Sequence, residues 1–232
     1  ILTGLFAHHT GIIIDQAASV GGSIINSGTI SHPANLRAGI VVHGGATLLG
    51  DITNSGTISG VGHFSGVPGA PAAGIAVTSV AQFGTASTGG HIINSGTISP
   101  VVNATAGILV LNVPSVGGIT NSGTISAGAL YGIRVTNVVQ FGTGSTAGIS
   151  NSGTISANLT GIGAFVSNFA GGVTNSGKIT AGTSNDAIFI VVSSAFTGGI
   201  KNSGVISAGG GITVSADSFT GDFTNSGTIT GL

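Results

Sequence analysis

Residues 52–59 read Ile-Thr-Asn-Ser-Gly-Thr-Ile-Ser, and this stretch is one of eight recognisable copies of a single motif. Every copy contains an Asn-Ser-Gly triplet, and the triplets begin at Asn26, Asn54, Asn94, Asn121, Asn151, Asn175, Asn202 and Asn225. Successive triplets are 28, 40, 27, 30, 24, 27 and 23 residues apart. Repeats of this length indicate a solenoid in which each coil carries one motif.

Apolar and polar residues alternate around each triplet, which is typical of a strand with one buried face. An apolar residue lies two positions before each asparagine, at Ile24, Ile52, Ile92, Ile119, Ile149, Val173, Ile200 and Phe223. Isoleucine lies four positions after each asparagine, at Ile30, Ile58, Ile98, Ile125, Ile155, Ile179, Ile206 and Ile229. Both columns are predicted to lie in the core.

The corner asparagine lies an even number of residues before the isoleucine that is predicted to be buried. Alternate side chains of a strand point to the same face, so we expect the asparagine side chain to point inward. A buried amide needs hydrogen-bond partners, and stacked coils supply them as an asparagine ladder. The glycine of each triplet is expected to adopt a positive φ, which glycine tolerates without steric cost. The eight asparagines are therefore predicted to be structural, and a set of plain surface turns is the alternative.

A second strand pattern, glycine followed by β-branched residues, lies between successive triplets. Its copies are 11–14, 39–42, 74–77, 107–110, 132–135 and 211–214, with variants at 163–166 and 187–190. One bulky residue then follows in most coils and is predicted to stack in the interior, at Phe83, Val116, Phe141, Phe169, Phe196 or Phe219. The sequence thus predicts an all-β fold, a single parallel β-helix over residues 1–232 with about eight coils of three short strands each.

The spacing of 40 residues between Asn54 and Asn94 predicts an inserted loop at residues 60–73. Its glycines and prolines are incompatible with a central strand. Insertions in repeat proteins often form a binding face, so His63, Phe64, Pro68 and Pro71 are candidate binding residues. A loop without a function is the alternative.

Charged residues make up only 4% of the 232 residues, and the formal net charge is −1. This composition lacks the basic surface of proteins that bind nucleic acids or membrane surfaces. The absence of cysteine excludes disulfides and thiolate metal sites. No apolar run is long enough to cross a bilayer as a helix. The sequence therefore predicts neither a nucleic-acid partner nor a transmembrane segment.

The acidic residues are few and scattered, at Asp15, Asp51, Asp186, Asp217 and Asp222, and the chain has no glutamate. Enzymes that cleave polysaccharides on a β-helix need clustered acids, or an acid beside a base. Asp186 and Asp217 lie in adjacent predicted coils and can be neighbours, whereas Asp51 and Asp222 lie at opposite ends of the column. We therefore expect no catalytic residue and no enzymatic activity.

Metal and cofactor sites are not predicted either. The six histidines all lie within the first 91 residues, at His8, His9, His32, His43, His63 and His91. None of them shows the His-x-His spacing of metal ligands, so a surface or interface position is the prediction. Outward Thr-x-Ser rows follow the corners, and they suggest an ice-binding solenoid as an alternative function, but Lys178 and Val205 interrupt them.

The repeated corner, the Gly-Ile-x-Val strand and the cysteine-free composition rich in Gly, Ser and Thr resemble the β-helical passenger regions of bacterial autotransporters and related secreted adhesins. The resemblance covers the whole chain. It implies a right-handed β-helix at the bacterial surface or outside the cell, acting in adhesion, aggregation or a biofilm matrix. The implied partners are surface glycans or another cell surface. A β-helix that binds or cleaves carbohydrate is the alternative function.

The last corner motif, at Asn225, is followed by no polar cap, and residues 1–7 carry no charge. Open strand edges favour pairing with a further coil. The sequence therefore predicts either a segment of a longer solenoid, in which neighbouring coils continue the stack, or copies that associate end to end into filaments.

Overall fold

The computed structural model describes residues 10–36, 38–61, 72–85, 87–100, 104–126, 128, 130–142 and 148–232. The regular elements of these residues are all β-strands. In chain order they are β1 (Thr10–Ile14), β2 (Ser19–Val20), β3 (Ile24–Asn26), β4 (Thr29–Leu36), β5 (Ala38–His43), β6 (Thr47–Leu48), β7 (Ile52–Asn54), β8 (Thr57–Val61), β9 (Ala73–Thr78), β10 (Gln82–Phe83), β11 (Gly90–Asn94), β12 (Thr97–Ser99), β13 (Ala106–Asn121), β14 (Thr124–Ser126), β15 (Tyr131–Phe141), β16 (Ile149–Asn151), β17 (Thr154–Ser156), β18 (Thr160–Phe169), β19 (Val173–Asn175), β20 (Lys178–Thr180), β21 (Asp186–Thr197), β22 (Ile200–Asn202), β23 (Val205–Ala208), β24 (Gly210–Thr220), β25 (Phe223–Asn225) and β26 (Thr228–Gly231).

The strands stack as a parallel β-solenoid of about seven turns, which confirms the predicted fold class. A typical coil consists of β15, β16 and β17. Its first strand carries the Gly-Ile-x-Val pattern, its second ends at the corner asparagine, and its third carries Thr-Ile-Ser. Each of these strands pairs in parallel with its counterparts in the neighbouring coils.

The equivalent strands of successive coils form continuous sheets. The first and second strands belong to one fifteen-stranded sheet, because β13 continues from the first strand into the second. The third strands form an eight-stranded sheet that runs from β4 to β26. A three-stranded sheet of β2, β6 and β10 forms part of the wall of the early coils, and its Leu48 and Phe83 lie in the core.

The core fills the interior of the coils. Both predicted columns are buried in the central coils, and the isoleucines of the second column are fully buried from Ile58 to Ile206. The predicted aromatic stack is also present: the ring centroids of Phe141 and Phe169 are 4.9 Å apart, and those of Phe169 and Phe196 are 5.0 Å apart. Identical positions thus fill the interior from one coil to the next, which is why the sequence repeats.

The first strands of the later coils are longer than predicted. Strands β13, β15, β18, β21 and β24 contain 10 to 16 residues, because the hydrogen-bonded ladder continues around a corner of the coil. In β13 and β15 the corner residues Asn112 and Asn137 have φ values of 55° and 53°. A left-handed residue bends the chain there without ending the pairing. The expectation of three short strands per coil was therefore wrong for these coils.

The variant pattern at residues 163–166 was assigned two residues too far along the chain. In the structure Ile162 pairs with Ile133 on one side and with Ile188 on the other. The strand motif of this coil is therefore 161–164. Gly163 consequently occupies the outward position that Arg134 and Phe189 occupy in the adjacent coils.

The inserted loop lies largely outside the described residues. Strand β8 ends at Val61, and β9 begins at Ala73. The candidate binding residues His63, Phe64, Pro68 and Pro71 all fall between them, in the segment 62–71 that the structure does not describe. Their role stays a prediction.

Candidate functional site

The asparagine ladder is present at all eight corners, as predicted. From Asn26 to Asn202, each side-chain amide nitrogen donates a hydrogen bond to the side-chain oxygen of the asparagine in the next coil. The seven donor–acceptor distances are 2.7 or 2.8 Å. The asparagines from Asn54 to Asn175 are fully buried. The alternative of plain surface turns was therefore wrong.

Further hydrogen bonds fix each rung of the ladder. The amide nitrogen of Asn151 also lies 3.3 Å from the carbonyl oxygen of Gly153 and 3.3 Å from that of Lys178 in the next coil. The backbone carbonyl of Asn151 accepts hydrogen bonds from the amides of Ser176 and Gly177. Among the described residues, no buried side-chain nitrogen or oxygen lacks a partner. The corners of successive coils are therefore connected by both side-chain and backbone hydrogen bonds.

The corner glycines are required for a reason other than the predicted one. None of the described corner glycines has a positive φ. Instead, a Cβ on Gly153 would collide with the carbonyl group of Gly123 in the preceding coil, and the same holds for each later corner. Glycine is needed because the backbones of stacked corners approach closely, so the expectation of a left-handed turn was wrong.

A second, shorter polar stack was missed from the sequence. The side-chain nitrogen of Asn137 lies 3.1 Å from the side-chain oxygen of Asn112, whose own nitrogen lies 3.5 Å from the hydroxyl of Ser79. All three residues have a φ between 51° and 55°. Asparagine tolerates this left-handed conformation better than most residues. The only signal in the sequence was an asparagine at the same point of two successive coils.

The Thr-x-Ser rows lie on the outside of the eight-stranded sheet. Their hydroxyl-bearing side chains are half-buried or exposed, while the isoleucine between them is buried in the coils from Ile58 to Ile206. Lys178 and Val205 pair in register with Thr154 and Thr228, so they interrupt the row in space as well as in sequence. The rows therefore do not form a continuous hydroxyl surface.

The carboxylates do not converge. Asp186 pairs in register with Gly210. Asp217 lies seven residues along β24 from this register partner of Asp186, so the two side chains are not adjacent. The expectation that they can be neighbours was therefore wrong, because it placed them in adjacent coils without fixing their positions along the strands.

Two histidines lie beside an aspartate of a neighbouring coil. The Nδ1 atom of His43 is 3.3 Å from Asp15, and that of His91 is 3.5 Å from Asp51. Asp51 also accepts a hydrogen bond of 2.8 Å from the backbone amide of His91. His8, His9 and His63 lie outside the described residues. Within the described ranges, no group of three possible metal ligands comes together.

One concave surface of the described residues is a groove on the outside of the fifteen-stranded sheet, which we call the outer aromatic groove. Its volume is about 260 Å³, and it is lined by Tyr131, Thr160, Phe165, Ser184, Asn185, Asp186 and Phe189. The strands β15, β18 and β21 contribute one aromatic ring each. The rings of Phe165 and Phe189 lie 5.6 Å apart at an angle of 59°.

The floor of the outer aromatic groove exists because of Gly163. This glycine lies in register between Arg134 and Phe189, so one outward position between them has no side chain. The ring of Tyr131 fills part of that space, since a Cβ on Gly163 would lie 2.9 Å from it. The guanidinium of Arg134 lies 4.8 Å from the centre of the Tyr131 ring and stabilises it by a cation–π contact.

One wall of the groove is polar. Ser184, Asn185 and Asp186 are consecutive, and Asp186 begins β21. Within the described part of the chain, the side chains of these three residues form no hydrogen bond or ion pair. Three neighbouring polar side chains therefore keep their full hydrogen-bonding capacity towards the groove.

Comparisons with models of known protein families, with curated proteins and with solved structures found no match for this chain. No helix in the described residues is long and apolar enough to span a membrane.

Proposed function

We propose that this chain is a non-enzymatic structural β-solenoid that acts in adhesion at the bacterial surface or in the extracellular matrix. The observation that carries the proposal is the unbroken asparagine ladder, whose seven steps extend over roughly 35 Å at the usual spacing of parallel strands. A column held together at every coil is suited to presenting a surface at a distance from its attachment point.

Two further observations support a structural role. Asp186 and Asp217, the two acids on the neighbouring strands β21 and β24, are not in register, so they do not form the paired carboxylates that glycoside cleavage uses. The low charge and the repeated corner also match the autotransporter-type passengers that the sequence resembles. Location outside the cell and membership of that group are part of this proposal.

A bead assay tests the adhesive role. Beads coated with the folded chain should bind to bacterial cells, to other cells or to each other. This binding should exceed that of beads coated with the heat-unfolded chain. The unfolded chain has the same composition but exposes its apolar core, so binding of the folded chain above that level needs the folded surface. Equal binding of the two preparations to every surface would contradict the proposal.

Continuation of the stack is a second element of the proposal. The coil of β24, β25 and β26 extends the inner columns of the core, and its Phe219, Phe223 and Ile229 are 43%, 53% and 38% exposed. Apolar columns and unpaired strand edges favour pairing with a further parallel coil. We propose that this edge stacks end to end on another copy or on neighbouring coils of a longer solenoid.

A further inference from the structure

We propose that the outer aromatic groove is a binding site for a pyranose ring of a neutral glycan. This inference rests on the adhesive function proposed above and names the partner that the surface would hold. It concerns a site on the outside of the strands β15, β18 and β21, and none of its lining residues belongs to the loop predicted at residues 60–73.

The three rings of the groove suit the apolar faces of a sugar. The C–H bonds of a pyranose carry a small positive charge, and the face of an aromatic ring is negative. Tyr131, Phe165 and Phe189 lie on three successive coils, and the Phe165 and Phe189 rings meet at 59°, so they form an angled wall instead of a flat patch. A sugar ring can pack against one ring while its edge contacts another.

The polar wall suits the hydroxyl groups of the same ligand. A carboxylate accepts hydrogen bonds from two adjacent hydroxyls, and an asparagine amide both donates and accepts. The Asp186 carboxylate and the Asn185 amide have these capacities unused among the described residues. Because the carboxylate of Asp186 is negative when ionised, the groove should favour neutral sugars over uronic acids.

The size of the groove also limits the length of the glycan that it can hold. Its volume of about 260 Å³ is below the usual range of pockets that enclose drug-sized molecules. The groove is open to solvent, and the three coils that line it span roughly 10 Å. It therefore holds one sugar ring or the end of a short chain, with the remainder of the glycan leaving into solvent.

The groove is built on rigid elements, which lowers the entropy lost when a ligand binds. Its aromatic residues belong to strands paired on both sides, and the Tyr131 ring is held between Gly163 and the guanidinium of Arg134. Weak monosaccharide binding at such a site becomes strong when many copies act together on a bead or a cell.

The chain contains a natural probe for this site. Tyr131 is the only tyrosine, and there is no tryptophan. Fluorescence excited at a wavelength that phenylalanine does not absorb therefore reports the groove alone. Titration with methyl mannopyranoside, methyl galactopyranoside or N-acetylglucosamine should change the Tyr131 emission in a saturable way for at least one sugar. Glucuronic acid should bind more weakly than that sugar.

Variants assign the change to the groove. Phe189→Ala should weaken binding about tenfold through the lost ring contact. Asp186→Asn, which keeps the shape of the side chain, should weaken binding about as much through the lost carboxylate. Val139→Ala is the matched control, because Val139 is an exposed apolar residue on the same strand as Tyr131 but does not line the groove. Circular dichroism of each variant confirms that the fold is kept.

Three results would overturn the assignment. The first is that no sugar of the set changes the Tyr131 emission. The second is that the sugars bind Phe189→Ala and Asp186→Asn as tightly as they bind Val139→Ala. The third is that the chain self-associates and Phe189→Ala abolishes the association, which would make the groove an interface between copies. The bead assay separates this inference from the adhesive function. If Phe189→Ala beads adhere as wild-type beads do, only the sugar site is wrong, whereas sugar binding without adhesion of wild-type beads contradicts the adhesive function.

Discussion

The side-chain nitrogen of Asn121 lies 2.8 Å from the side-chain oxygen of Asn151 in the next coil, and both residues are fully buried. Each interior amide, from Asn54 to Asn202, is a donor to one neighbour and an acceptor from the other. Removing one member therefore affects two rungs. The stack thus couples the stability of neighbouring coils.

Asn151→Ala should lower the free energy of unfolding by about 1 to 3 kcal/mol, because the side-chain oxygen of Asn175 loses its donor while it stays buried. Equilibrium denaturation in urea measures the change. Ser152→Ala is the matched control, since Ser152 is the exposed neighbour. Identical unfolding midpoints for the two variants would show that the ladder contributes nothing to stability.

Gly153→Ala should destabilise the chain by about 1 to 3 kcal/mol, the usual effect of overpacking. The new methyl group would meet the backbone of Gly123 and Ser122, which cannot rotate away. Gly28→Ala provides the control, because Gly28 occupies the same position in the first corner and has no atom within 4 Å of its would-be Cβ. The explanation fails if both variants unfold at the same urea concentration.

Asn137→Ala should be less stable than Asn137→Gly. Asn137 has a φ of 53°, and a residue with a Cβ and no local polar group is disfavoured there by roughly 1 to 2 kcal/mol. Both variants lose the hydrogen bond to Asn112, so the difference between their thermal midpoints isolates the backbone effect. A more stable alanine variant would contradict the left-handed assignment.

Gly163→Ala should displace the ring of Tyr131 with only a small loss of stability, because the new methyl group meets the edge of a side chain and not backbone. The near-ultraviolet circular dichroism of the single tyrosine should change, and sugar binding in the groove should weaken. Gly21→Ala, at a glycine with open space around it, should leave the spectrum unaltered. An unchanged spectrum for Gly163→Ala would mean that Tyr131 does not lie over this glycine.

Phe223→Lys should reduce any association of the purified chain. Phe223 continues the inner column of Ile200 at the open coil, and a charge there opposes stacking of a further coil. Sedimentation over a range of concentrations measures the effect. Thr224→Lys adds the same charge to the outward side of the same strand and should have less influence. A wild-type chain that sediments as a single monomeric species at every concentration would contradict end-to-end stacking between copies.

The parts of the fold that could be predicted are those that the chain repeats. In all eight copies of the corner, the asparagine and the isoleucine are an even number of residues apart. Alternate residues of a strand share a face, so this spacing alone places both side chains inside the coil. The reason for the corner glycine could not be found this way. Positive φ and close backbone approach both select glycine, and only the distance to Gly123 distinguishes them at Gly153.

The outer aromatic groove could not be predicted, because it depends on the register between coils of unequal length. Tyr131, Phe165 and Phe189 fall at different points of their own repeats. Phe165 and Phe189 were noticed as variants of a strand pattern, but the two-residue error at Gly163 concealed that this glycine leaves a gap beside them. A single sequence specifies the repeat well and the exact alignment of irregular repeats poorly.

The ladder also makes the solenoid a directional object. The side-chain amides from Asn26 to Asn202 all donate towards the C-terminal neighbour, and those from Asn54 to Asn225 all accept from the N-terminal neighbour. The aligned amide dipoles give the column a donor pole and an acceptor pole, much as aligned peptides do in a helix. If a further coil is added in the same orientation, an amide donor at the end of the ladder faces an amide oxygen of the new coil. In a reversed coil, two amide donors would face each other. The end-to-end stacking proposed above should therefore have only one polarity.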